Sequence, residues 1–257
     1  MKKSYIIILL VILIGISLSS VITGFFTAGG KEKVALETER FDHIEIDTNN
    51  ADINLQITDG EAFVELVNKE KYRLNVDIEG NTLDIEVEKP WFGWFAFDFS
   101  FKTPTLNVYL PKDMYESIQA KTNNGKVDVN DVETKELKMK TNNGKIIVKD
   151  VKSSLINLKS NNGEIILENS TGKIIGETSN GNVRITKNEL YEPISLETHN
   201  GNVTILTDHE PTNVTYQLKT HNGNIEVFGS EHFDTVVGNG KNLIQLETHN
   251  GNINIKK

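Results

Sequence analysis

The 257-residue chain contains no cysteine. That excludes disulfides, thiolate metal sites and a lipid-modified N-terminal cysteine. It has only five prolines but 29 asparagines, the mark of an ordered, turn-rich chain and not of a proline-rich disordered one. Basic residues are outnumbered 27 to 36, for a net charge of −9. A nucleic-acid binder neutralises phosphates with clustered Lys and Arg, so that class is excluded. The G-x-S-x-G, H-E-x-x-H, phosphate-loop and hexapeptide acyltransferase patterns are missing, and no cofactor is expected. Helical periodicity is missing beyond the N-terminus.

Long apolar runs are also scarce. There is one, Tyr5 to Phe26, inside an uncharged stretch from Ser4 to Gly30 that follows Lys2 and Lys3. As a helix its 22 residues rise roughly 33 Å, about one bilayer core. A buried helix of a soluble domain is the bland alternative. A cleavable signal peptide is the closer competitor, but its apolar region is shorter and ends at a small-x-small site; this run is longer, and A-x-A is absent. Residues 1–30 therefore read as an uncleaved transmembrane signal anchor. Lys2 and Lys3 favour a cytoplasmic N-terminus and an extracytoplasmic C-terminal domain. Without those two lysines the remainder carries −11.

What fills the rest is a repeat. T-N-N-G occurs at Thr122 to Gly125 and Thr141 to Gly144, S-N-N-G at Ser160 to Gly163, and T-S-N-G at Thr178 to Gly181. T-H-N-G occurs at Thr198 to Gly201, Thr220 to Gly223 and Thr248 to Gly251. The glycine spacings are 19, 19, 18, 20, 22 and 28. Two residues after each glycine stand Val127, Ile146, Ile165, Val183, Val203, Ile225 and Ile253, and four after it another Val, Ile or Leu. Period-two alternation with β-branched residues predicts strands with one buried face. Asn-Gly predicts a φ > 0 turn between them. A degenerate copy, Thr48-Asn49-Asn50-Ala51, keeps Ile44, Ile46, Ile53 and Leu55 at the same offsets.

Asn-Gly between alternating segments is also a hairpin signal, so an antiparallel barrel or sandwich stays open. A meander has no reason to repeat Thr and Asn at a near-constant period. A parallel β-solenoid does, because equal positions stack on successive coils. The expected fold is all-β: a parallel solenoid of about 19–20 residues per coil over 118–257. Residues 31–117 are expected to form an irregular β cap with the first coil. Asn124, Asn143, Asn162, Asn180, Asn200, Asn222 and Asn250 would form a side-chain ladder. Gly125, Gly144, Gly163, Gly181, Gly201, Gly223 and Gly251 would form the turn column beside it. The ending Lys256-Lys257 reads as a guard on an exposed edge strand.

The N-terminal anchor, the aromatic segment before T-L-N-V-Y-L-P at Thr105 to Pro111, and the repeated [ST]-x-N-G-x-[IV]-x-[IVL] copies belong together. They resemble the bacterial "putative adhesin" domain family, including the LiaG-like proteins of Firmicute envelope-stress operons. The resemblance covers about residues 40–257. It implies a β-solenoid at the cell surface and transfers no catalytic residues.

Three features could carry function. Residues 91–101 hold seven of the chain's 19 aromatics, with Trp91, Phe92 and Trp94 around Gly93. They either cover the open end of the solenoid or contact the membrane interface or a partner. His199, His221 and His249 share one repeat position and would stack. They could bind zinc or copper, or repel on protonation, but Asn or Ser fills that position elsewhere. The longest insertion, Gly229 to Asn242, carries Glu231, His232 and Asp234, a polar cluster that reads as a surface loop. The expected partners are the cytoplasmic membrane and an envelope protein or cell-wall glycan. Self-association through the solenoid ends is a structural alternative, and a polysaccharide-acting enzyme a remote one.

Overall fold

A computed structural model describes residues 25–28, 30–36, 40–69, 72–89 and 103–257. None of these is helical; they form two sheets that face each other across one continuous apolar core. Each regular coil has a long strand in one sheet, a corner, a short strand in the other sheet and a second corner. Glu133–Lys140 and Ile146–Lys149 make up one such coil, and Lys152–Lys159 and Ile165–Glu168 the next. Successive coils pair in parallel, Val127 with Ile146 and Ile146 with Ile165. Leu137 pairs with Ile156 in the same way. The solenoid is therefore the fold, and the antiparallel meander is not.

Alternation does the rest. In each strand every second side chain points between the sheets, so Ile146, Val148, Ile156, Leu158, Ile165 and Leu167 are fully buried. Their outward neighbours carry one-coil ion pairs, such as Lys152–Glu133 at 2.6 Å and Lys145–Glu164 at 2.8 Å. The hydrogen bond to Lys152, and then its charge, hold the Glu133 carboxyl below its ordinary range and raise the lysine correspondingly. These pairs are exposed and contribute little to stability singly; their value is an outer face of alternating sign.

The two corners divide the turn chemistry differently from the sequence expectation. The glycines of the N-G corners do not have positive φ. They are required by close approach. A Cβ on Gly144 would lie 1.7 Å from the carbonyl oxygen of Gly125, and one on Gly163 would lie 1.7 Å from that of Gly144. The left-handed conformation appears at the opposite corner, at Asp131, Asp150 and Asn169 with φ of 57°, 53° and 49°. Asp and Asn tolerate that region better than other residues with a Cβ. At the glycine corner the preceding Thr or Ser hydroxyl donates to the same carbonyl that excludes the Cβ. Thr141 Oγ1 reaches Gly125 O at 3.0 Å, and Ser160 Oγ reaches Gly144 O at 3.1 Å.

Sequence order and spatial order part company at both ends. The coil made by His43–Thr48 and Asp52–Thr58 lies between Thr82–Glu88 and Thr105–Pro111 on one side and Met114–Lys121 and Val127–Asn130 on the other. Ile53 pairs with Val127, so the degenerate Thr48-Asn49-Asn50-Ala51 copy is a true coil in register. At the other end, Asn242–Asn250 and Ile253–Lys256 insert between the coil of Ile194–Asn200 and that of Val214–Asn222.

Three expectations are thereby corrected. Ile253–Lys256 is paired on both sides, so the terminal lysines guard no edge; the edge belongs to Ile225–Val227, where the chain turns away at Phe228. The boundary at 117/118 cuts the strand Met114–Lys121, and cap and solenoid share both sheets. Finally, Phe25–Ala28 is a strand and not the end of a helix. It pairs antiparallel with Lys31–Leu36, Ala28 opposite Lys31, and Gly30 has φ of 80°. The remainder of the proposed anchor, residues 1–24, lies outside the described residues. Among the described residues no helix is long and apolar enough to cross a membrane. The Gly80-Asn81 hairpin forms as expected, joining Arg73–Glu79 to Thr82–Glu88.

The corner geometry ranks substitutions. Gly144→Ala or Gly163→Ala pushes a methyl group into backbone and should cost about 3 kcal/mol or more. Asn162→Ala removes two solvent-exposed amide contacts and should cost about 1 kcal/mol. Lys145→Ala breaks one surface pair and should cost less than about 1 kcal/mol. Urea midpoints of the four variants test the ranking; equal losses for Gly163→Ala and Lys145→Ala would contradict the register.

Tyr216 takes the core position that Ile or Leu fills elsewhere, and Phe233 packs edge-on against it at 6.2 Å. Burial, and secondarily the Glu210 carboxylate, push its phenol up to about 12. A raised folded value stabilises the neutral protein fully below the unfolded value near 10, and that stability drains away as pH climbs towards about 12. The loss should reach about 2 kcal/mol relative to Tyr216→Phe. Urea midpoints of the two proteins, followed from neutral to strongly alkaline pH, should diverge only in that window.

Candidate functional site

The corner that carries Thr, Asn and Gly is the most ordered chemical feature on the surface. Along it the Asn side chains bond in one unbroken series. Asn124 Nδ2 donates to Asn50 Oδ1 at 2.7 Å, Asn143 to Asn124 at 2.7 Å, Asn162 to Asn143 at 2.8 Å and Asn180 to Asn162 at 2.9 Å. The series continues from Asn200 to Asn180 at 2.8 Å, Asn250 to Asn200 at 2.7 Å and Asn222 to Asn250 at 2.7 Å. All seven expected rungs are present, with Asn50 as an eighth that the missing glycine obscured. The last two rungs stand in reverse chain order because of the inserted coil. A carboxamide has two N–H groups and an oxygen with two lone pairs. An internal rung spends one of each on its neighbours, and the rest faces solvent, since every rung except the half-buried Asn50 is exposed.

A column of backbone contacts runs beside the amides. Seven Thr or Ser hydroxyls donate to the carbonyl at the Gly position of the adjacent coil, from Thr122 on Ala51 to Thr220 on Gly251. Past the glycine a second Asn column appears, in which Asn202 N–H donates to Asn182 Oδ1 and Asn252 N–H to Asn202 Oδ1, both at 2.8 Å. The sequence carries this signal in its repeated G-N pair, at 181–182, 201–202, 223–224 and 251–252.

His199, His249 and His221 form the outer flank of the last three coils, in that spatial order. Their rings stack face to face, at 4.7 Å and 5° for the first pair and 4.6 Å and 6° for the second. Stacking was expected, with His221 in the middle; the inserted coil puts His249 there instead. Near-parallel rings keep their in-plane nitrogen lone pairs side by side, so they cannot converge on a metal about 2.0–2.1 Å from each nitrogen. Among the described residues no three His, Asp, Glu or Cys groups are gathered around one point. Glu231, His232 and Asp234 are exposed on the loop after Ile225–Val227 and do not converge. Trp91, Phe92 and Trp94 lie outside the described residues.

Sequence reading also missed Ser117, His43 and Asp42. Ser117 Oγ lies 2.7 Å from His43 Nδ1, and His43 Nε2 lies 3.4 Å from Asp42 Oδ1. These are the residue types of a nucleophilic triad, brought together by the pairing of His43 with Ser117 across strands far apart in sequence. An acyl-transfer site also needs N–H donors converging on an oxyanion. Here the N–H groups of Glu116 and Ser117 both donate to Asp42 O, and the Asp42 carboxylate accepts from Asn81 Nδ2 at 2.6 Å. The trio is a structural clasp on the outer face of the long-strand sheet. Nearby, a cleft of about 650 Å³ is lined by Arg40, Phe41, Glu61, Met114 and Tyr115 among others. Burial, and then Asp113, raise the Tyr115 phenol well above its ordinary value, and its hydroxyl donates to Pro111 O at 2.8 Å.

No curated protein sequence matches the chain. Solved structures resemble it at low identity. One is described as a "putative adhesin" from Bacteroides fragilis, at 13% identity and TM-score 0.47 over 89% of this chain and 98% of that one. Another is a "putative lipid binding protein" from Parabacteroides distasonis, at 14% identity and TM-score 0.47 over 89% and 98%. A third is a "putative cell adhesion protein" from Clostridium sporogenes, at 15% identity and TM-score 0.41 over 88% and 98%. The Toastrack DUF4097 family model matches twice, over residues 41–173 and 131–256, overlapping along the repeat. Two matches that together cover residues 41–256, on a chain whose [ST]-x-N-G corner recurs seven times, place it: the chain belongs to the Toastrack DUF4097 family.

Proposed function

We propose that this chain is a non-catalytic interaction module held on the outer side of the cytoplasmic membrane, acting as an adhesin-like or envelope-stress accessory protein. The observation that carries this reading is the amide ridge. It is an unbroken hydrogen-bonded series of eight carboxamides, flanked by three imidazoles, with a donor and an acceptor site left over at each internal rung. Its rungs are already ordered by one another, so a ligand that lies along it meets little entropy cost at the protein side. An extended polymer with regularly spaced polar groups, such as a cell-wall glycan, suits a ridge of this kind better than a small molecule, which needs a concave pocket.

Membrane attachment rests on Lys2, Lys3 and the apolar run from Tyr5 to Gly24, the part of the expected span that precedes the strand Phe25–Ala28. The −11 charge beyond Lys3 opposes adhesion of the domain to anionic lipid, which favours a partner in the wall over the bilayer surface itself. The names carried by similar structures, adhesion in two and lipid binding in one, are compatible with this reading but come from proteins at 13–15% identity.

Two measurements test the proposal. In intact cells of a Gram-positive host producing the full chain, added protease should remove a C-terminal tag while the chain fractionates with membranes; a protected tag would reject the topology. Full chain in detergent should be retained by purified cell-wall sacculi. Replacing His199, His221 and His249 by serine, the residue that already occupies the position at Ser179, should lower retention several-fold with the thermal midpoint unchanged. Retention equal to wild type would remove the ridge from the binding surface.

A further inference from the structure

The chain repeats one five-residue segment without change: Thr-His-Asn-Gly-Asn at 198–202, 220–224 and 248–252. Local sequence cannot distinguish Asn200, Asn222 and Asn250, yet the ladder treats them differently. Asn-Gly is the pair in which spontaneous deamidation is easiest, because glycine puts no side chain in the way. The glycine nitrogen attacks the Asn Cγ, a C–N bond closes a five-membered succinimide, and the carboxamide nitrogen leaves as ammonia. Water then opens the ring at either carbonyl to give aspartate or isoaspartate. No oxidant or cofactor is needed. Two things stop the reaction in a folded chain: a glycine N–H already engaged, and a carboxamide unable to rotate.

Both brakes act at five of the six internal rungs; at the sixth, Gly163 N–H has no acceptor among the described residues, but the Asn162 carboxamide is held on both sides. Gly201 N–H donates to Asn250 O at 3.0 Å and Gly251 N–H to Asn222 O at 3.0 Å; Gly181 N–H donates to Asn200 O at 3.1 Å. Gly125 and Gly144 donate to the Thr122 and Thr141 hydroxyls. The amides of Asn124, Asn143, Asn162, Asn180, Asn200 and Asn250 each give a hydrogen bond to one neighbour and accept one from the other. At Asn222 the first brake is off and the second is halved. It is the last rung, bonded only through its Nδ2 to Asn250, and its Oδ1 points past the end of the ladder with no donor among the described residues. Gly223 is exposed, and its N–H has no acceptor among the described residues.

We propose that Asn222 is a site of spontaneous deamidation, and the one rung of the ladder that converts in the folded protein. The product cannot give a hydrogen bond to Asn250 from its carboxylate, and it places a new negative charge at the open end of the ridge beside His221. The isoaspartate form also lengthens the backbone between Val214–Asn222 and Ile225–Val227, so the terminal coil loosens first. This inference stands independently of the binding role proposed above.

Peptide mapping by mass spectrometry tests it, with the full chain in detergent aged at mildly alkaline pH and isoaspartate scored by its methyltransferase. Asn222 should convert at least about thirty-fold faster than Asn200 and Asn250, the factor that two further hydrogen bonds of ordinary net strength impose. The same chain aged in strong urea should convert all three at similar rates. Equal rates for Asn200, Asn222 and Asn250 in the folded chain would overturn the proposal. So would a preference for Asn222 that persists in urea, since the ladder would not be its cause.

Discussion

One close approach sets the rest of this structure: at each N-G corner the carbonyl oxygen of one coil occupies the space that a Cβ would need on the next. That contact fixes how tightly coils can stack on this side, and everything along the corner is adjusted to it. The threonine hydroxyl satisfies the same carbonyl. The asparagine next to the glycine is carried to the outside, at a separation where a carboxamide reaches its equivalent on the next coil in a single hydrogen bond. The three residues of the motif are one device. Glycine permits the spacing, threonine closes the polar contact inside it, and asparagine links the exterior.

The device also accounts for the tolerance shown at the ends. Parallel coils with equal corners are interchangeable as neighbours, since each presents the same donors on one side and the same acceptors on the other. The coil of Asn242–Asn250 and Ile253–Lys256 can therefore enter between two coils that precede it in sequence and complete the ladder without a fault. The coil of His43–Thr48 and Asp52–Thr58 does the same near the N-terminus, with Ala51 standing for glycine. In both places the inserted strands are paired on two sides, so local unfolding of an inserted coil must break two ladders instead of one.

The repeat, the parallel pairing and the amide ladder were legible in sequence because a period of about 19 residues leaves its mark on several columns at once. The order of the last coils was not legible. Nothing in T-H-N-G at 198, 220 and 248 says which copy lies between the others, because the copies are identical and the order exists only in the pairing of the coils. The reason for the glycines was misread for a related cause. A φ > 0 requirement is local and can be guessed from a dipeptide, whereas a clash with the preceding coil exists only once the coils are stacked. The Ser117–His43 contact was invisible on the same ground, since 74 residues separate two side chains that register alone brings together.

The parallel stacking that makes the ridge regular also narrows what chemistry it can do. Equivalent side chains on successive coils point in the same direction, so their lone pairs and N–H bonds run side by side and never converge. Metal binding, acid–base catalysis and oxyanion stabilisation all depend on groups that converge on one atom from different directions. A column of identical residues supplies the opposite arrangement: many equal contacts, none directed at a common centre. The His199, His249 and His221 stack shows this most plainly, because the residue type best suited to metal ligation is here held in a geometry that prevents it. Where the described residues do bring unlike groups together, at Asp42, His43 and Ser117, the contact comes from different positions on neighbouring strands and its donors are already spent on the backbone. A surface built by translation along one axis is matched by a ligand with its own translational repeat, and affinity then accumulates from many weak rungs and not from one strong site.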